Sequence, residues 1–143
     1  MKTFPFVALM ALTLLGGCDR QSAGFNLPAG NAEQGRATFL LLQCNDCHSI
    51  RDSVPHSDAD TGINVVLGGQ TTRVRTYGDL VTSIIHPSHR LSRGNDPATV
   101  TETGKSKMRN YNEVMSVDEL INLVEFLQGE YEVWVPDYYE YRR

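Results

Sequence analysis

The chain has 143 residues, the length of one ordinary domain, with 41% hydrophobic and 21% charged residues. That balance excludes wholesale disorder. A formal net charge of -4 gives no footing to a general nucleic-acid binder.

In chain order, Lys2 supplies a positive start and Phe4 to Leu15 forms an apolar run. The run is too short to span a bilayer, which takes roughly 20 residues, and has the length of a signal-peptide core. It ends in Leu15-Gly16-Gly17-Cys18, which resembles a bacterial lipoprotein signal. The resemblance implies a mature chain starting at a lipidated Cys18, held on the periplasmic face of a membrane. Two acyl chains at about 0.8 kcal/mol per buried CH₂ give stable anchoring. Asp19 resembles a retention signal for the inner membrane. Residues 1–17 are therefore expected to be a signal peptide and 18–30 a lipidated tether, rich in Ser, Gly, Asn and Pro.

Asn31 is a good N-cap for a first helix, with Glu33 in its first turn and Ala37 to Leu42 continuing it to just before Cys44. Ser49 to Thr61 reads as loop, and Gly68-Gly69 as a turn. Tyr77 to Ile85 reads as a short helix halted by Pro87, because proline lacks an N–H and disfavours helix just before it. Leu91 to Met108 reads as mostly loop. Ser116-Val117-Asp118-Glu119 is a capping box that opens a last helix. Leu120, Leu123, Val124 and Leu127 recur there at helical spacing, and Gly129 is the stop. With no strand-rich segment, the expected class is all-α: a few short helices and long loops. The domain is expected over residues 31–129, with an aromatic tail over 130–143.

Chemistry concentrates in Cys44-Asn45-Asp46-Cys47-His48. Cys-x-x-Cys-His reads as an attachment site for one covalent c-type haem. Two thiols three positions apart reach the two vinyl groups of a haem, and the next residue presents an imidazole to the iron. A zinc site would want four N/S ligands, and a second Cys-x-x-Cys or paired histidines are missing. A thioredoxin-like pair would follow a strand, whereas this motif follows a helix. Cys18 is assigned to lipid, so no cysteine is left for a long-range disulfide. Candidates for a sixth iron ligand are Met108, Met115, His56, His86 and His89.

From Asn31 to Gln128 the chain resembles class I cytochromes c. Ala32-Glu33-Gln34-Gly35-Arg36-Ala37-Thr38-Phe39 is similar to the first helix of that family, and Leu123-Val124-Glu125-Phe126-Leu127 to its last. The resemblance implies a cytochrome c-like fold with Gly35 packed on Phe126. Gly104 to Tyr111 resembles the segment that brings the axial methionine, which implies Met108 opposite His48. Two departures stand out. Arg109 follows the methionine where the family has proline. Gly62-Ile63-Asn64-Val65 replaces the family's Gly-Pro-x-Leu, leaving the Ile63 carbonyl as the expected hydrogen-bond partner of His48.

Charge is unevenly placed. Arg73, Arg75, Arg90, Arg93, Lys105, Lys107 and Arg109 face only Asp79, Asp96 and Glu102 in their stretch, whereas residues 110–143 carry eight acids against two arginines. The basic stretch reads either as ordinary solvated surface or as a docking rim for an acidic redox partner. The tail carries Tyr131, Trp134, Tyr138, Tyr139 and Tyr141, to be packed on its own domain or offered to another subunit.

The expected function is electron transfer between redox partner proteins at a membrane, with His48 and Met108 as iron ligands and no substrate chemistry at the iron. The alternatives are a haem subunit of a larger oxidoreductase complex, or a ligand-binding haem sensor or enzyme with an open sixth site.

Overall fold

A computed structural model describes residues 27–92 and 94–135. The signal segment, Cys18 and Tyr138, Tyr139 and Tyr141 lie outside the described residues, as does Arg93. No helix among the described residues is long and apolar enough to cross a membrane.

Helix α1 covers Ala32–Leu41, and Asn31 caps it by accepting from the Gln34 N–H at 2.9 Å. A 3₁₀ turn at Cys44–Asp46 follows, then strands β1 (His48–Ile50), β2 (Val65–Leu67) and β3 (Gly69–Thr71). Helix α2 covers Tyr77–Ile85 and is capped by Thr76. It stops at a second 3₁₀ turn, Pro87–His89. Helix α3 is one turn, Pro97–Val100, and leads into a small hairpin of β4 (Thr101–Glu102) and β5 (Lys105–Ser106). Helix α4 covers Val117–Gly129, with both bonds of the Ser116–Glu119 capping box formed. Strand β6 (Tyr131–Val133) closes the described chain.

Helices α1 and α4 carry the main packing. Gly35 is the reason they approach so closely: a Cβ there would lie 2.7 Å from Phe126 Cβ and against the Asn122 backbone carbonyl. The expected Gly35–Phe126 contact is thus present. One turn on, the Phe39 and Phe126 rings meet edge to face, with centroids 6.0 Å apart. Asn122 ties the helices across their polar side, accepting from the Asn31 N–H at 2.8 Å and donating to Gln34 at 3.1 Å. Phe39, Ile50, Val54, Leu80, Ile84, Leu123, Val124, Phe126 and Leu127 make one core.

The expectation of an all-α class is corrected. The fold is mixed α/β, with helices beside three two-stranded sheets among the described residues. β1 pairs β2 in parallel, β3 pairs β6 in parallel, and β4 pairs β5 antiparallel. Each strand is two or three residues long, too short for an alternating pattern to register. The tail takes part too. Trp134 N–H donates to the Thr71 carbonyl at 2.9 Å, Tyr131 packs on the core, and the Arg75 guanidinium lies 5.6 Å from the centre of its ring. The first residues of the expected tail are therefore part of the domain. At the other end Gly30 already sits on α4, where a Cβ would meet Glu125 and the Ile121 carbonyl at 2.7 Å.

Candidate haem-attachment site

The end of α1 sets up the motif. After Leu42 the chain reverses at Gln43, which is left-handed with φ 56°. The turn it enters holds Cys44 and is closed by the Cys47 N–H on the Cys44 carbonyl at 3.2 Å. Among the described residues neither thiol has a disulfide partner, and both are half-buried on this one turn. Cys44 packs on the core, and burial pushes its thiol up to about 11. It is therefore a neutral thiol at physiological pH, unlike a low-pKa redox cysteine.

His48 opens β1, directly opposite Val65 of β2. The Val65 N–H donates to the Cys47 carbonyl at 2.9 Å, and His48 Nδ1 lies 3.1 Å from the Val65 carbonyl oxygen. That oxygen only accepts, so Nδ1 carries the proton and Nε2 keeps its lone pair. Burial pulls the His48 pKa below its usual 6.5, outweighing the Val65 hydrogen bond, and the nearby His56 lowers it further. A neutral imidazole with one nitrogen tied to the backbone and the other free is the form that ligates a metal.

The expected partner carbonyl was Ile63, and the structure corrects this to Val65. The parallel register of β1 and β2 places Val65 across from His48, two residues beyond the position inferred from the motif. The Ile63 carbonyl instead accepts from His56 Nε2 at 2.9 Å.

The candidate sixth ligands separate in the fold. Both ring nitrogens of His56 face backbone carbonyls, Ser57 at 2.7 Å and Ile63 at 2.9 Å, so neither offers a lone pair to a metal. His86 and His89 are exposed beside Pro87, their ring centres 6.2 Å apart, and His89 Nδ1 bonds the His86 carbonyl at 2.9 Å. Met115 packs on the core and lines a shallow depression of about 230 Å³ with Ile85, Val117 and Leu120. Met108 is half-buried, and its N–H donates to Ser106 Oγ at 3.1 Å. Three residues on, the Tyr111 hydroxyl donates to the Leu42 carbonyl at 3.0 Å. Tyr111 thus sits beside the cysteine turn. Burial raises its pKa most, with Cys44 next. Sequence reasoning missed Tyr111, although a tyrosine three residues after the candidate methionine was a usable signal. It also missed Val65, for which the sequence carries none.

The donor set suits a c-type haem: two half-buried thiols on one turn, followed by an oriented neutral imidazole. A zinc cage finds no support in the same region, since no group of three or more His, Cys, Asp or Glu converges among the described residues.

Comparison with protein-family models, with curated proteins and with solved structures finds no match.

Proposed function

We propose that this chain is a single-haem electron carrier of the class I cytochrome c kind, lipid-anchored through Cys18 on the periplasmic face of the inner membrane. One observation carries the reading. Cys44 and Cys47 share a turn, and the residue after them is a histidine whose Nδ1 is held by the Val65 carbonyl while Nε2 has no hydrogen-bond partner among the described residues. Haem supplies reversible one-electron chemistry; the protein sets its potential, exposure and partners. Cys44 and Cys47 would hold it covalently and His48 would ligate its iron. Met108 is the proposed distal ligand, on the segment that Tyr111 pins beside the turn. A filled distal position leaves outer-sphere electron transfer as the function, and Met/His ligation raises the potential.

The basic stretch favours an acidic redox partner. Arg73, Lys105, Lys107 and Arg109 are exposed, while Arg90 is partly neutralised by Asp79 at 3.4 Å. Charge of this kind speeds encounter more than it tightens a complex.

The test is a spectrum of the purified full-length protein in both oxidation states, with a redox titration. The expected result is one haem that survives acid extraction, a reversible one-electron couple, and slow or absent carbon monoxide binding by the reduced form. A protein without covalent haem refutes the attachment site. Rapid carbon monoxide binding refutes the filled distal position and points to a ligand-binding haem protein.

A further inference from the structure

We propose that His56 is a positioning residue for the haem site: its ring, held as an imidazolium between the Ser57 and Ile63 carbonyls, fixes the strand whose Val65 carbonyl orients His48, and loss of one proton releases that hold. The role rests on the haem reading above.

The geometry specifies the cation. Nδ1 lies 2.7 Å from the Ser57 oxygen and Nε2 lies 2.9 Å from the Ile63 oxygen. Carbonyl oxygens only accept, so both nitrogens must donate, and only the doubly protonated ring can. A neutral ring keeps one bond and turns a lone pair toward the other oxygen, a repulsive contact. These two carbonyls accordingly hold the ring above its ordinary pKa of 6.5, Ser57 first and Ile63 second, against the opposing effect of desolvation. Asp46 adds to the shift from the cysteine turn, through its carbonyl and its charge. His48, on β1, is the other titratable group that feels the ring, and it is kept neutral by its own burial. Asp58 and Asp60 lie on the loop that His56 itself closes.

That loop is bonded to the motif at several points. Ser57 N–H donates to the Asn45 carbonyl at 2.9 Å, Ser57 Oγ to the Asp46 carboxylate at 2.6 Å, and Thr61 Oγ1 to the Asp46 carbonyl at 2.7 Å. Ile63 then leads within two residues to Val65, the acceptor for His48. The ring therefore joins the turn carrying both cysteines to the strand that orients the proximal histidine. Its positive charge is felt at His48, the residue that would ligate the iron, and would there favour the reduced state, which carries one charge less. Reduction should thus tighten proton binding at His56. Raising the pH past its pKa sends one ring proton to solvent and lowers the midpoint potential.

The experiment uses the full-length holoprotein in two arms. The first follows the His56 ring nitrogens by NMR against pH in both oxidation states. The expected result is a doubly protonated ring with a midpoint above 6.5, higher in the reduced protein. The second compares the potential-against-pH curves of wild type and His56→Gln, which keeps an uncharged donor. The wild-type curve should fall through the His56 midpoint, with the hyperfine-shifted His48 signals moving over the same range. The His56→Gln curve should lack that step. A neutral, single-tautomer His56 at slightly acid pH, or superimposable curves, overturns the proposal while leaving covalent haem intact. A cationic His56 in a protein that carries no haem overturns the positioning role through failure of the haem reading itself.

Discussion

Gly35→Ala tests the helix pairing on which the whole site is mounted. In an isolated helix this change is favourable by about 1 kcal/mol, because glycine has more backbone freedom to lose. Here the new methyl would lie 2.7 Å from Phe126 Cβ, against a usual carbon–carbon separation of roughly 3.5–4.0 Å, and would press on the Asn122 backbone. Phe126 is 5% exposed and a backbone carbonyl cannot rotate aside, so the helices must part. Overpacking of this kind costs about 1–3 kcal/mol. Loosening the Phe39–Phe126 contact adds about 0.5–1.5 kcal/mol. After the helix gain is subtracted, the net loss is about 0.5–3.5 kcal/mol. For a domain of this size that is a fall in Tm of roughly 2–20 °C, read by far-ultraviolet circular dichroism on the holoprotein. Gly78→Ala is the control. Gly78 lies in α2 with nothing within 4 Å of where a Cβ would go, so the same substitution should stabilise by up to about 1 kcal/mol. A Gly35→Ala protein as stable as wild type, or two glycines responding alike, would refute the close-approach account.

The methionines should divide by role. Met108→Ala is expected to abolish the sulfur-dependent absorption near the red end of the oxidised spectrum and to lower the potential, whereas Met115→Ala keeps both and loses about 2 kcal/mol on urea unfolding. Ser116→Ala should cost about 1 kcal/mol at neutral pH. The Ser116 N–H and hydroxyl hold the Glu119 carboxyl below its usual 4.5. That stabilisation is complete above 4.5 and is lost as pH falls through the lower folded value, so the gap between wild type and Ser116→Ala should narrow in acid. Truncation after Gly129 removes the β3–β6 pairing and Tyr131 from the core, and should lower Tm; unchanged stability with lost partner binding would mark the tail as a docking segment instead.

The sequence by itself determined the local features. Asn31, Thr76 and Ser116 cap where short polar side chains can reach the first free N–H groups. The Cys44–His48 spacing places two thiols on one turn with an imidazole directly after it, and the resemblance of the first and last helices to those of class I cytochromes c implied the contact of Gly35 with Phe126. These are consequences of groups a few residues apart, or of residue types with one strong physical reason. Tertiary structure alone decided the strands and the hydrogen-bond partners of His48 and His56. A three-residue strand has no readable period, so the all-α expectation missed pairings between segments that lie far apart along the chain. The parallel register of β1 against β2 then chose Val65 over Ile63 for His48 and left Ile63 to His56. A carbonyl is the same group at every residue, so which one meets an imidazole is fixed by the path of the chain and never by the identity of the side chain.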